Sequence, residues 1–376
     1  MSIFSKANRY LLPGLAFKAV VIGGGYATGR ELVEFFMPSG PMGGLYGMLV
    51  ATAIWSGICM VTFLFAFRLQ AFDYQTFFRK LLGRGDFIFE IVYFADLVLV
   101  LSVFGSAAGA IGSVILGVPL IAGTLALIAA VLCVVAWGQV AAEAVFKYVS
   151  ILLYGVYAIF LVLSFWNFTP EIGHAFQGAT VHPGWFVGGV TYASYNVIGA
   201  VLILPVLRHL RSGRDALISG FLAGPLAMAP ALIFFVCLVP YYPAVLKEAL
   251  PSDYALRQLQ QPVFHVLFQL MVFFALLECS VGFVQALAAR IDGFNERRGR
   301  TTSRFSRIMV PAVVTFGSVF IASAVGLVDL IALGYRGMAY AVLIIFVLPL
   351  ITVGIVKLLS DPAQPPAIDE EAIAWP

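Results

Sequence analysis

The chain has 376 residues, of which 61% are hydrophobic and 11% are charged, and its formal net charge is +3. Soluble domains carry about 25% charged residues, so this chain has too few polar groups to cover a surface that faces water. The composition therefore excludes a soluble globular domain and predicts an all-α integral membrane protein.

Ten segments of the chain are long and apolar enough to cross a bilayer as helices, which takes about 20 residues each. Their continuous apolar character excludes the strands of a β-barrel, and the first segment is too long and too charged for a cleavable signal peptide. The loops at 68–84 and 240–262 are each predicted to contain a short helix, the first of them amphipathic. The predicted spans are 11–37, 42–68, 87–115, 119–138, 144–166, 184–207, 215–239, 263–289, 306–327 and 331–358.

Basic residues divide unevenly between the two sets of loops. With a cytoplasmic N-terminus, Lys247 and Arg257 are the basic residues of the outer loops, and most of the 22 lysines and arginines lie in the inner loops. Cytoplasmic loops of membrane proteins are rich in Lys and Arg, so we expect a multi-pass protein of the cell (inner) membrane with both termini cytoplasmic. The same rule explains the basic loop 290–307, which we do not interpret as a nucleic-acid site. The acidic, proline-rich tail 359–376 is predicted to be disordered.

The sequence VVIGGGYATGREL, residues 20–32, places four glycines and an Arg-Glu pair inside the first predicted span. Three adjacent glycines do not share a helix face, so they favour an unwound segment over the close helix packing that Gly25 and Gly29 alone would allow. Freed peptide groups are tolerated in a membrane only beside protein, water or a ligand. The break therefore predicts a cavity at the first span.

A similar stretch, GGVTYASYNVIG at residues 188–199, lies in the middle of the sixth predicted span. Its Tyr-Ala-Ser matches the Tyr-Ala-Thr of residues 26–28. Glycine-interrupted spans at corresponding positions of two halves point to a transporter binding site. We therefore predict two five-helix repeats, residues 1–167 and 180–358. The second repeat is predicted to be inverted, because five spans per repeat is an odd number.

Two of these stretches carry a family resemblance. GGGYATGRELVEFF resembles the glycine-rich first helix of the YkvI-like bacterial membrane proteins, and YASYNVIGAVLILPVL resembles their sixth helix. That family is similar to the amino acid–polyamine–organocation superfamily, whose members have the LeuT fold. The resemblance covers roughly residues 8–358. It implies about ten transmembrane helices in a five-plus-five inverted repeat, broken helices 1 and 6, and alternating access.

The residues at the two predicted breaks are the candidates for binding a solute. Glu31 follows the first break, where an unpaired charge costs at least about 2.5–3.5 kcal/mol, and we predict that it receives a substrate amine or a coupling proton. Pairing that only holds helices together is the alternative for Glu31 and for the polar side chains of the sixth span. The predicted substrate-binding residues are Gly23, Gly24, Gly25, Tyr26, Thr28, Glu31, Tyr192, Ser194, Tyr195 and Asn196.

Two acids are predicted to lie near the middle of the membrane, Asp96 in the third span and Glu278 in the eighth. Buried acids can carry protons, and a structural hydrogen bond is the alternative for both. In sodium-coupled members of the superfamily, hydroxyls of helix 8, here Ser280, and carbonyls of helix 1 form a cation site. A bond from Ser280 to its own helix backbone is the alternative. Lys147 opens the fifth span, where some proton-coupled members place a lysine and where snorkelling is the alternative.

Four charged residues are candidates for a gate at the outer end of the protein. Neighbouring positions on a helix do not face each other, so Arg30 and Glu31 are predicted to have different partners. We predict that Arg30 or Glu34 reaches Asp329 or Arg336 when the gate is closed, because charge pairs between helices 1 and 10 can serve this purpose in LeuT-fold transporters. Snorkelling of the charges to the headgroups is the alternative.

No enzyme motif is found in the sequence, so we do not expect an enzyme. Cys59, Cys133, Cys237 and Cys279 lie singly in apolar runs without metal-ligand spacing, so we expect no bound metal or cofactor.

The predicted function is secondary active transport of a small organic solute, which the resemblance implies is an amino acid or a related compound. H+ is predicted as the coupling ion ahead of Na+, because midplane acids outnumber the hydroxyls of a cation site. A membrane sensor or receptor that uses the same pocket without transport is the alternative.

Overall fold

The computed structural model of the chain describes residues 3–22, 24–137, 139–177, 179–297 and 304–360. This part of the protein is built from helices and contains no strand, as the all-α prediction requires. Gly23 and the predicted tail beyond residue 360 lie outside it. The helices are α1 Ile3–Val21, α2 Gly24–Ala27, α3 Arg30–Phe35, α4 Gly40–Arg68, α5 Tyr74–Leu82, α6 Asp86–Leu116, α7 Leu120–Trp137, α8 Gln139–Phe176, α9 Trp185–Asn196, α10 Gly199–Leu202, α11 Gly213–Leu238, α12 Pro251–Gln258, α13 Pro262–Arg297, α14 Arg304–Val325 and the final helix Leu327–Ser360.

The protein is a polytopic membrane protein. In the described ranges, eight helices are long and apolar enough to cross a bilayer, and they match the second to eighth and the tenth predicted spans. The first predicted span falls on α1 to α3, and the ninth falls on α14, whose apolar part Ala312–Val325 is shorter. A total of ten spans, and their division into two inverted repeats, stay predictions.

Both predicted loop helices are present, as α5 and α12. Helix α5 begins after Asp73, whose carboxylate accepts a hydrogen bond from the backbone N–H of Thr76 at 2.8 Å, a typical N-cap. Its apolar face, with Phe77 and Phe78 at the centre, is buried against the rings of α4, α6 and the final helix. The amphipathic pattern of the sequence therefore reflects packing against the helix bundle.

The first span is interrupted on both sides of the short helix α2. The second interruption lies at Thr28 and Gly29, where Gly29 has a φ of 77° and its N–H bonds the carbonyl of Tyr26 at 2.9 Å. Residues with a Cβ rarely adopt this left-handed conformation, so glycine is required there. The predicted break of helix 1 is therefore present, and α3 begins directly after it.

The sixth span is interrupted between Asn196 and Gly199. The backbone N–H groups of Ala200 and Val201 bond carbonyls three residues earlier, as in a 3₁₀ turn, and a 3₁₀ segment at Leu204–His209 follows α10. Around the interruption, side chains bond the backbone carbonyls of α9. The Trp55 indole N–H donates to the carbonyl of Ala193 at 3.1 Å.

Eight of the described helices pack in two groups, and the long helix α8 contacts a member of each, α11 and α13. Helices α1, α4, α9 and α11 form the first group, and α6, α7, α13 and α14 form the second. The short α2 packs against α13 and α6, whereas α3 packs against α9 and the π-helical segment Leu330–Tyr335 of the final helix. The broken first span therefore lies where the two groups meet.

Glycines allow α9 to approach its neighbours closely. A Cβ built on Gly188 would overlap the carbonyl oxygen of Phe35 in α3, and one built on Gly189 would overlap the carbonyl oxygen of Gly47 in α4. The glycines of the sixth span thus bring the two broken helices together by packing, as small residues do between membrane helices.

We expect Gly188→Ala to lower the melting temperature of the protein purified in detergent. The added methyl group must displace α3 from α9, and overpacking of this kind costs about 1–3 kcal/mol. Gly155→Ala is the matched control, because Gly155 is also helical and a Cβ there would meet nothing within 4 Å. Equal melting temperatures for the two variants would contradict this account of the contact between α3 and α9.

Candidate functional site

Glu31 lies at the centre of the candidate site. It is the second residue of α3, directly after the break at Gly29, and 5% of its surface is exposed. The Tyr195 hydroxyl of α9 donates a hydrogen bond to Glu31 Oε2 at 2.6 Å. This bond joins the two broken spans through two residues that the sequence predicts to bind a solute.

Four tyrosines lie near the Glu31 carboxyl group. The hydroxyls of Tyr26, Tyr192, Tyr195 and Tyr335 are all close enough for the Glu31 charge to act on them. The rings of Tyr195 and Tyr335 are stacked, with centroids 4.5 Å apart, and the rings of Tyr192 and Tyr195 meet edge to face at 5.7 Å. These four tyrosines are called the aromatic or tyrosine cage below.

The cage is supported from behind by further aromatic side chains. Tyr192 contacts the rings of Phe35, Phe36 and Trp55, and each of these four side chains is buried. Such pairs prefer defined offset or edge-to-face geometries, so they fix the orientation of the ring as well as adding buried area. The cage therefore has a rigid wall on the side of α4.

Asp96 also lies near Tyr335. It is buried in α6, with 6% of its surface exposed, and it makes no hydrogen bond or ion pair with any other residue that the structure describes. Its charge acts on the hydroxyl of Tyr335, as the charge of Glu31 does. The structure thus brings a predicted coupling residue and a predicted substrate residue together around one tyrosine.

The other two predicted coupling residues lie on α13, which packs against α2 and α6. Ser280 is buried, and its Oγ has no hydrogen-bond partner within the described part of the chain. The alternative interpretation, a bond to its own helix backbone, does not hold for this serine. Glu278 is partly exposed. The side chain of Lys147 lies outside the described residues.

Three of the predicted binding residues have structural partners instead. The Ser194 hydroxyl donates to the carbonyl of Val190 at 2.6 Å, and the Asn196 amide donates to the carbonyl of Tyr192 at 3.0 Å. Both are bonds to the same helix. The Thr28 hydroxyl accepts a bond from the N–H of Arg30 at 3.2 Å. A role for these side chains in contacting a solute stays a prediction.

Arg30 points away from Glu31, as the spacing on a helix predicts. Its guanidinium donates to the carbonyls of Leu246 and Glu248, each at 3.0 Å, and forms an ion pair with Glu34. Neither Arg30 nor Glu34 pairs with the final helix among the residues that the structure describes, and such a pair in a closed gate stays a prediction. The loop after α11 lies nearer to Arg30. Asp329 and Arg336 are exposed and form no ion pair within the described ranges.

A comparison with families finds no family model that matches the chain. The chain is similar to the uncharacterized membrane protein YkvI of Bacillus subtilis (strain 168), with 27% identity over 305 residues, which are 80% of this chain and 86% of that protein. Among solved structures, it is similar to a mutant of the Eremococcus coleocola manganese transporter, with 11% identity and a TM-score of 0.46. That alignment covers 96% of this chain and 90% of the other. A likeness at this level transfers neither substrate nor mechanism.

Sequence reasoning missed a polar cluster beside the first break. Asp253 of α12 is 1% exposed and accepts hydrogen bonds from His265 at 2.5 Å and Gln269 at 2.9 Å, while the Arg257 guanidinium lies 3.0 Å away. The backbone N–H of the preceding residue, Ser252, bonds the carbonyl of Thr28 at 3.0 Å and satisfies a peptide group that the break frees. The one signal in the sequence is the i,i+4 pair of Asp253 and Arg257 in a segment predicted to be helical.

Proposed function

We propose that the protein is a secondary active transporter of a small organic solute, an amino acid or a related compound, which works by alternating access and is coupled to H+. We place it in the cell (inner) membrane with both termini cytoplasmic, because of the distribution of basic residues between its loops. The solute is proposed to bind at Glu31 and the tyrosines around it.

One observation carries this proposal. A buried carboxyl group lies directly after a break in one membrane helix, and its hydrogen-bond partner comes from a second broken helix. Helices in a membrane lose backbone hydrogen bonds where they are broken, so such breaks are retained where they serve a site. A protein that only needed a stable bundle would gain from continuous helices here.

Asp96 is the proposed carrier of the coupling proton. A buried carboxyl group without a partner is costly when ionised and far less so when protonated, so a change of its surroundings can drive proton uptake or release. The unbonded Ser280 hydroxyl is the observation that favours Na+ instead. A hard cation needs several oxygen ligands, and for this reason H+ remains the preferred coupling ion.

The two helix groups supply the moving parts of the proposed mechanism. Rocking of α1, α4, α9 and α11 against α6, α7, α13 and α14 would open the site between them to each side in turn. Glu31 and Tyr195 belong to spans that pack with the first group, whereas Asp96 belongs to the second. Such a motion would therefore change the distance between the two acids.

Uptake into proteoliposomes tests the proposed function. We expect pooled radiolabelled amino acids and amines to accumulate under an imposed proton gradient, and not with a sodium gradient or without a gradient. Binding without accumulation by folded protein would overturn the transport function and favour the sensor. Accumulation driven by a sodium gradient alone would support the transport function but show that Na+, and not H+, is the coupling ion. Ser280 would then be the first residue to test.

A further inference from the structure

The buried charges of the protein are not balanced. Three of the buried charged side chains are held by a side chain of opposite charge, and Glu31 and Asp96 are not. The three pairs are Arg30 with Glu34, Asp215 with Arg9, and Asp253 with Arg257. Two acids near Tyr335 are thus left without a cation among the described residues.

The groups near Glu31 include several that attract a cation. The faces of tyrosine rings carry partial negative charge, and such rings bind ammonium groups. Tyr195 and Tyr335 form a stacked pair beside Glu31, and Tyr192 meets Tyr195 edge to face. A buried carboxylate among tyrosine rings is suited to a positively charged amine.

Tyr26 adds a further hydroxyl to the surroundings of Glu31. Its side chain is 2% exposed and lies beside the Tyr157 hydroxyl. It is close enough for the charge of Glu31 to act on it.

We propose that the substrate of this site is an organic amine that carries a net positive charge and no carboxylate. This inference rests on the transport function proposed above and narrows its class of solutes. The ammonium group would lie against Glu31 within the tyrosine cage, and the hydrocarbon or aromatic body of the amine would contact the rings.

The same surroundings disfavour the carboxylate of an amino acid. The Glu31 carboxylate would repel it, and juxtaposed like charges are a common means of rejecting the wrong ligand, while a protonated Asp96 offers it no positive charge. The buried cation of the described part, Arg30, already holds Glu34 and the carbonyls of Leu246 and Glu248. An amino acid would therefore bring a negative group into a site that has no free cationic side chain among the described residues to receive it.

Matched pairs of compounds test the inference, each pair differing by one carboxylate. Tyramine with tyrosine, isopentylamine with leucine, and cadaverine with lysine would be added to the purified full-length protein at pH 7, where the amino groups are protonated. We expect at least one amine to raise the melting temperature and its parent amino acid to bind at least about tenfold more weakly, a difference of 1.4 kcal/mol. Uptake of the same compounds into proteoliposomes is measured in parallel.

Two variants connect any binding to Glu31. Glu31→Gln is expected to lose the response to the amine, and Glu31→Asp, which keeps the charge, is expected to retain the preference for the amine over the amino acid. Amine binding that survives in a folded Glu31→Gln protein would overturn the proposed site. Equal or tighter binding of the amino acid, or no binding of any amine, would overturn the substrate class.

The two parallel readouts separate this inference from the proposed function. Accumulation of an amino acid without accumulation of its amine would support the proposed transport function and contradict the proposed amine substrate. If an amine raises the melting temperature in a manner that depends on Glu31 but is not taken up, the amine ligand would be supported and the transport function contradicted.

Discussion

We expect Glu31→Gln to abolish accumulation of the solute while the protein still folds. The substitution keeps the size of the side chain and an acceptor for the Tyr195 hydroxyl, so the contact between α3 and α9 at 2.6 Å has a replacement. It removes the negative charge from the aromatic cage. A hydrogen bond to a charged group is worth about 1.5–3 kcal/mol, so binding should weaken about tenfold to more than a hundredfold. The measurement is the initial rate of uptake into proteoliposomes across a range of solute concentrations.

Glu171→Gln is the matched control for this variant. It makes the same chemical change on the exposed surface of α8, far in the sequence from either break, and we expect wild-type uptake from it. Both proteins should elute as single species in size-exclusion chromatography, so that a loss of uptake is not a loss of folding. Normal uptake by Glu31→Gln would remove Glu31 from the mechanism.

The breaks in the helices could be predicted because glycine acts through the backbone alone. Glycine adopts the left-handed conformation without steric strain and without help from a partner residue. The helix is interrupted at Gly29 in the structure, as the sequence predicts. The prediction that Arg30 and Glu31 have different partners could also be made from the sequence. Adjacent residues on a helix diverge by roughly 100°, so one faces the loop Leu246–Glu248 and the other faces Tyr195.

The partners of these charges could not be predicted, because they come from distant parts of the chain. Tyr335 stands in an apolar span with many aromatic residues, and only the fold shows that it lies near both Glu31 and Asp96. Arg336, its neighbour, is more conspicuous in the sequence and proves to be exposed. Asp253 was assigned to an outer loop, where acids are common, and its burial depends on how α12 folds back onto the break.

Hydroxyl and amide side chains gave the least reliable signals. Ser194 and Asn196 lie next to a broken helix, yet each bonds a carbonyl of its own helix, whereas Ser280, for which that outcome was the alternative, has no such bond. Short polar side chains can satisfy themselves locally or across an interface at similar free energy. Which bond forms depends on the side-chain rotamer and on neighbouring residues from other helices, and neither can be predicted from the sequence pattern.

We expect Asp96→Asn to uncouple transport from the proton gradient without preventing solute binding. The variant keeps a polar side chain of the same size on α6 and removes a carboxyl group near Tyr335 that, unlike Glu31, can exchange a proton without first losing a hydrogen-bond partner. Accumulation under an imposed proton gradient should fall to the level seen without a gradient. Exchange of labelled for unlabelled solute across the membrane should continue, because it needs the site to move and not the proton to leave.

Asp86→Asn is the control on the same helix. Asp86 begins α6, is partly exposed and faces Arg79 at 3.7 Å, a distance at which a surface pair contributes about 0–1 kcal/mol. We expect it to retain both accumulation and exchange.

The contrast with Glu31→Gln is the decisive comparison, since that variant should lose both activities. If Asp96→Asn still accumulates solute against its gradient, Asp96 does not carry the coupling proton. If it loses exchange as well, the two acids act as one binding unit rather than as a binding group and a coupling group.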